Sequence, residues 1–268
     1  DIHIHDMDFM NMGTLTCCQI DLDKLFTNGF STGHGHLREP QDITSYAALA
    51  AIAIQSNQND QHGGQSIPAF DYYLAKGVAK TFRKDYIANL NRALELFINL
   101  DTDVKPTFER IEKETGKQPA IHMDESFLNE INKMLAQDYG LGRDQIELIN
   151  KFAYKEAYKD TKKKTFQAME GFVHNLNTMH SRAGAQVPFS SINFGTDMSP
   201  EGRMVSENLM LAQEAGLGNG ETPIFPILIF KVKEGINYNP EDPNYDLFKL
   251  ACRVSAKRLF PNFSFMDS

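Results

Sequence analysis

Two adjacent thiols are the most reactive groups in the sequence. Cys17 and Cys18 sit within Gly13-Thr-Leu-Thr-Cys-Cys-Gln-Ile-Asp-Leu22, a β-branched, apolar run with no helical period that reads as a strand. Side chains alternate along a strand, so the two thiols face opposite ways and only one can look into a given cavity. One is a candidate redox thiol; the alternative is a pair of small core residues, a common fate of free cysteine. Cys252, the third cysteine, falls on the face of a later helix with Leu247, Leu250, Ala251 and Val254, and reads as core.

The opening His3-Ile-His5-Asp6-Met-Asp8 places two imidazoles and two carboxylates close together. In an extended strand His3 and His5 share one face and Asp6 and Asp8 the other. That suits a proton-handling pair, a metal site or a hydrogen-bonded polar edge. No further ligand has conventional zinc spacing, so no metal is assigned. The loop Ser31-Thr-Gly-His34-Gly-His36-Leu-Arg38-Glu39-Pro40 combines glycines that let backbone approach a ligand with an arginine fork suited to phosphate, or is a plain surface loop. Residues 57–65, Asn-Gln-Asn-Asp-Gln-His-Gly-Gly-Gln, are dense in amides that read a sugar or base edge or cap the preceding helix. Gly216-Leu-Gly218-Asn-Gly220 follows a helix and precedes a strand, the reverse of a dinucleotide fingerprint. No P-loop, HExxH, GxSxG or kinase signature is present.

These groups need a scaffold, and the composition supplies one. The 268 residues are 41% hydrophobic and 23% charged, the balance of a globular chain. No apolar run reaches the roughly 18 residues of a membrane helix, and no secretory leader opens the chain. The net charge of −8 argues against direct nucleic-acid binding but not against a local nucleotide pocket. An odd cysteine count with an adjacent pair is no disulfide framework and points to a reduced, cytoplasmic setting.

Along the chain, Ile43 to Gln58 is apolar on nearly every side, as a buried helix is. Residues 69–99 and 125–136 read as helices. Phe166, Met169, Phe172, Val173 and Leu176 mark one face of another, with Lys162-Lys163-Lys164 as its solvated start. A strand follows at Ala185–Phe194. A helix then runs from Pro200 to about Ala215, a buried strand spans Ile224–Val232, a helix opens at Asp242-Pro243, and a short strand lies at 260–266. Helices alternating with buried strands give an α/β class. Four strands are too few to close a barrel.

Several of these segments, taken in order, resemble the anaerobic (class III) ribonucleoside-triphosphate reductases, of the glycyl radical enzyme family. They are His3-x-His5-Asp6-x-Asp8, Cys17-Cys18-Gln-Ile-Asp21-Leu22, Gly29-Phe30, Glu39-Pro40, His62-Gly63-Gly64 and Ser181-Arg182-x-Gly184-x-Gln186-x-Pro188-Phe189-Ser190-Ser191. Gly218-Asn219-Gly220-Glu221-Thr222-Pro223, Asp242-Pro243-Asn244-Tyr245-Asp246-Leu247 and Ala256-Lys257-Arg258 continue the match. The resemblance implies about half of a ten-stranded α/β barrel. Residues 1–268 would form a partial catalytic barrel domain, with strands near 13–22, 185–195, 223–233 and 260–266 and a helical insert at about 69–180.

The resemblance also implies an oxidoreductase of deoxyribonucleotide biosynthesis, serving DNA replication. A glycyl radical, made by a SAM and iron-sulfur activase, generates a thiyl radical on a finger-loop cysteine, which takes the ribose 3′-hydrogen. The 2′-hydroxyl leaves as water, and a first-strand cysteine, matched by Cys17, supplies reducing equivalents. Formate or a thioredoxin-like protein is the final reductant. His3, His5 and His62 would support the site. Ser190, Ser191 and Asn193 would reach substrate sugar or phosphate. Glu39 falls where relatives bind a deoxynucleotide effector at a homodimer interface, with ATP a further allosteric effector. The finger loop, the glycyl segment, a zinc site and a regulatory cone all fall outside these residues. The chain therefore reads as a fragment, inactive on nucleoside triphosphates alone. The alternatives are a non-catalytic nucleotide-binding or dimerisation module and a His/Asp metal hydrolase.

Overall fold

The computed structural model describes residues 17–60, 63–180 and 186–267. His3, His5 and His62 lie outside them. The chain divides into two compact units, residues 1–77 with 165–268, and residues 78–164.

The first unit is built on a five-stranded parallel sheet. In chain order its strands are β1 (Cys18–Gln19), β4 (Gln65–Ile67), β5 (Ser190–Phe194), β6 (Ile227–Val232) and β7 (Asn262–Phe265), and they neighbour one another in that order. Between β1 and β4 come helix α1 (Leu22–Asn28), the hairpin β2 (Phe30–Ser31) with β3 (His36–Leu37), and helix α2 (Ile43–Asp60). Helices α3 (Phe70–Ile98) and α6 (Arg143–Thr178) each begin in one unit and end in the other. Helix α7 (Pro200–Ala215) joins β5 to β6, and α8 (Tyr245–Arg258) joins β6 to β7.

One face of the sheet is a packed core. Ile67, Ile192, Phe194, Leu228, Phe230 and Val232 are fully buried or nearly so. The Phe230 ring meets Phe194, Phe263 and Phe248 of α8. Local chemistry starts each helix: Asp21 accepts the Asp23 and Lys24 amides at α1, and Ser199 accepts the Gly202 amide before Pro200 at α7. Arg258 closes α7 from outside, its guanidinium donating to the Glu214 and Ala215 carbonyls.

The second unit is helical. It holds most of α3, then α4 (Lys105–Thr115), α5 (Glu125–Tyr139) and most of α6. Phe82, Tyr86, Phe108, Phe127, Ile131 and Leu135 fill its core. Arg83 grips Glu112 through two bonds of 2.6 and 2.7 Å. Among the described residues no helix is long and apolar enough to cross a membrane.

The structure corrects several expectations. A strand absent from the sequence reading, β4, lies between β1 and β5; at three residues it is too short to show a period. The strand expected over 13–22 ends by Gln19 in the described part, because Asp21 caps a helix. The glycine-rich loop is a hairpin, and no other part of the described chain approaches Gly33 or Gly35; their positive φ values serve the turn. Helix α4 was missed. The Lys162–Lys164 run is not a helix start but lies inside the 36-residue α6, where Lys164 pairs with Asp85. Cys252 is exposed, one position away from buried Ala251.

Gly77 lies within α3, where alanine is the better helix former by up to about 1 kcal/mol. A Cβ there would sit 2.8–3.0 Å from the Tyr46 side chain. Gly77→Ala should therefore destabilise the protein, by about 1–3 kcal/mol, in urea unfolding. A stabilised variant would mean that α2 and α3 are not this close.

Candidate active site on the open face of the sheet

Parity along the parallel strands sorts their side chains. Cys18 pairs with Gln65 and Ser190, and Gln19 with Ser66, Ser191 and Ile227. The Cys18 row faces the helices. The Gln19 row faces the other way; Cys17 precedes β1, is exposed and borders the cavity on that face. On that second face Ser66, Ser191, Asn193, Ile227, Ile229 and Lys231 are all half-buried, and Cys17 and Gln19 are exposed. Parallel sheets ordinarily have both faces covered. This one is dry on one side and open, with hydroxyls, amides and one ammonium, on the other.

A cavity of about 540 Å³ opens on this face, bounded by residues 17–19, 64–66 and 189–191 with Ile227 and Ile229. It brings Cys17 together with Ser190 and Ser191. Ser190 is 1% exposed, and its hydroxyl turns back to the Pro188 carbonyl at 3.3 Å. Ser191 is the serine whose side chain faces the cavity. Asn193 is on the same face further along β5, outside the cavity lining, and its side-chain oxygen is buried with no hydrogen-bond partner among the described residues. Glu39 is exposed between β3 and α2 and does not line the cavity.

Behind the cavity a set of amides holds the first strand in place. Asn57 on α2 donates to the Gln65 side-chain oxygen at 2.8 Å and to the Cys18 sulfur at 3.2 Å. Gln65 donates to Gln58 at 3.1 Å and to the Ile54 carbonyl at 3.0 Å. Gln58 also accepts the Phe189 amide at 3.2 Å. Gln58 and Gln65 are each 2% exposed, so these bonds form away from water. Asn57, Gln58 and Gln65 of the amide-dense segment therefore tie strands β1, β4 and the start of β5 to α2.

A second buried group shapes the chain just after β5. The Asp71 carboxylate accepts the Gly195 amide at 2.8 Å and the Asp197 amide at 3.0 Å. Asn237 and Asn244 donate to carbonyls of the same turn, at Gly195 and Asp197. Burial pushes the Asp71 carboxyl above the ordinary carboxylate range, against the pull of the two amides; Asp197 adds to the rise and Lys231 opposes it. Asp71 was not singled out from sequence, and Gln58 and Gln65 only as part of the amide-dense segment 57–65. The signal available was polar residues bracketing an apolar word: Gln65-Ser-Ile-Pro-Ala-Phe-Asp71. Among the described residues no group of three or more His, Cys, Asp or Glu is placed to hold a metal ion.

A five-stranded parallel α/β sheet with one open, polar face fits one side of an α/β barrel. The fold comparison agrees. The anaerobic ribonucleotide reductase from Thermotoga maritima superposes with a TM-score of 0.51 at 10% identity, over 99% of this chain and 38% of that one. The sequence profile of the family described as anaerobic ribonucleoside-triphosphate reductase matches residues 1–268, and the chain belongs to that family. The reductase of Escherichia coli is 27% identical over 264 residues, 98% of this chain and 29% of that protein. The reductase of phage T4 is 26% identical over 263 residues, 97% of this chain and 34% of that protein. The chain thus spans about a third of the length of these relatives.

Asp71 gives the first unit a pH dependence whose sign is set. Its folded-state affinity for a proton exceeds that of the unfolded chain, where the ordinary value is 3.8. Its contribution to stability is fully present below that value and is lost as pH rises through the raised one. Urea unfolding of wild type and Asp71→Asn, from about pH 4 to pH 8, should show the wild-type advantage shrinking as pH rises. An advantage that grows with pH would mean that the amide bonds outweigh burial.

Proposed function

We propose that this chain is one part of the catalytic barrel of an anaerobic ribonucleotide reductase, which converts ribonucleoside triphosphates to deoxyribonucleoside triphosphates. In this reading the open face of the sheet lines the substrate site and residues 1–268 form a partial barrel domain. The observation that carries the reading is the separation of the two thiols. Cys17 is exposed and borders the cavity that Ser191 also lines, while Cys18, at the edge of the same cavity, accepts a hydrogen bond from Asn57.

The reaction replaces a ribose C–OH by C–H and releases water, which takes two electrons and two protons. The glycyl radical of the family, carried outside these residues and made by a radical SAM activase, supplies the one-electron chemistry that opens the ribose to loss of its 2′-hydroxyl. Cys17 supplies a hydrogen atom to the ribose from its thiol. The thiyl radical left on Cys17 takes a hydrogen atom back from the final reductant, formate or a thioredoxin-like dithiol. The radical so formed on the reductant delivers the second electron, a proton coming from solvent. The reductant ends as carbon dioxide or a disulfide and Cys17 as a thiol. A rigid strand suits that role, because a hydrogen donor must be held within contact of the reacting carbon. Ser191 offers a hydroxyl to the sugar or phosphate, and the uncommitted Asn193 oxygen is an acceptor for a ligand hydroxyl. Ser190, bonded to its own strand, supports the backbone there. His3, His5 and His62 are proposed to support the site, and Glu39 to take part in binding a deoxynucleotide effector in a homodimer. ATP as an effector, a cytoplasmic setting and a zinc site elsewhere in the protein complete the reading.

The test is a pair of substitutions in the complete, activated enzyme. Cys17→Ser should lower deoxynucleotide formation by about a thousandfold or more with nucleotide binding intact. Cys18→Ser should keep activity within about tenfold and cost about 1 kcal/mol of stability through its bond from Asn57. Equal loss in both variants with normal folding would reject the assignment of faces.

A further inference from the structure

The helical unit of residues 78–164 carries a groove of its own, apart from the proposed chemistry. Its volume is about 740 Å³, within the range of small-molecule sites. Helix α6 presents Arg143, Lys151, Tyr154, Lys155 and Tyr158 to it, a stripe along one helical face. The Tyr154 and Tyr158 rings lie 18° from parallel with centroids 6.5 Å apart, and each residue is 37% exposed. Tyr154 is fixed in place, its hydroxyl donating to the Ile121 carbonyl at 2.8 Å.

The polar groups in the groove are built but uncommitted. Asn150 accepts from the buried Tyr86 hydroxyl at 3.2 Å and donates to the Asn132 oxygen at 2.6 Å. That fixes the Asn132 amide and leaves its NH₂ without a partner among the described residues. Arg143, Lys151 and Lys155 make no ion pair among the described residues either. They face one carboxylate in the groove, Glu147, in a chain whose net charge is −8. In an acid-rich chain, three unpaired cations beside two half-exposed parallel rings are a complementary surface for an anion with a flat face. Lysine stems cover the ring edges while their ammonium groups stay in water, and the Arg143 fork suits a phosphate or carboxylate.

We propose that this groove binds a small planar aromatic anion, its ring against Tyr154 and Tyr158 and its anionic group between Lys151 and Lys155, with Arg143 about three helical turns further along the same groove. The Asn132 NH₂ offers a hydrogen bond to an acceptor on the ring edge.

The probe is 8-azido-ATP, which carries both a ring and a polyanion. It is photolysed on the whole protein, and the label is mapped to peptides. Label should appear on Tyr154 or Tyr158. ATP should compete for it better than either adenosine or tripolyphosphate, each of which has one half of the chemistry. Lys151→Glu with Lys155→Glu, both at exposed positions, should cut the labelling about tenfold, and Tyr158→Leu should cut it with charge unchanged. Cys17→Ser should leave it unaltered, which separates this site from the open face of the sheet. Label absent from α6, label that ATP does not displace, or label insensitive to the lysine substitutions would overturn the proposal. Equal competition by tripolyphosphate would remove the ring from it, and equal competition by adenosine the anion.

Discussion

The side-chain amides of half-buried Asn57 and buried Gln58 and Gln65 set the parity of the first strand, and the rest of the open face depends on it. Strand β1 is two residues long, with the Cys18 amide bonded to the Gly64 carbonyl and the Ile20 amide to that of Ser66. So short a ladder is a weak guarantee of register, and a slip of one residue would exchange the two faces. It would carry Cys17 to the helices and Cys18 to the cavity. The Asn57 bond to the Cys18 sulfur, and the bonds among Gln58, Gln65 and the Phe189 amide, tie three strands to one helix and oppose that slip. Broken singly, each such buried bond leaves an unsatisfied amide, which costs more than the bond itself contributes.

The two faces of the sheet divide stability from chemistry. On the helix side aromatic and branched residues pack without polar interruption, from Ile67 to the Phe230 cluster. On the other side polar Ser66, Ser191, Asn193 and Lys231 are interspersed with Ile227 and Ile229, and Cys17 lies just before β1. A strand buried on both sides would be expected to use apolar residues there, since an unpartnered polar group in a dry interior is costly. Their presence suits a face that meets substrate and the remainder of a barrel. The family profile matches residues 1–268, and the relatives are about three times as long.

Much of this was legible in the residues. Helix α7 was read from Pro200 to Ala215, because Ser199-Pro200 starts a helix and Gly216 ends one by plain backbone chemistry. The opposite orientation of Cys17 and Cys18 follows from strand alternation alone. Strand β4 and the hairpin were missed because three residues, or two pairs of two, hold no period to detect. Cys252 was misplaced because residues adjacent in sequence differ by about 100° around a helix, enough to move a side chain from core to water. The roles of Gln58, Gln65 and Asp71 depend on partners as far as 131 residues away in sequence, a relation no local pattern encodes.

The most direct measurement is a structure of the complete protein with a ribonucleoside triphosphate bound. The account predicts the ribose on the open face, within about 4 Å of the Cys17 sulfur and beside Ser191, with Cys18 still held by Asn57. A ribose seated elsewhere, or a Cys17 side chain turned into the helix layer, would contradict it.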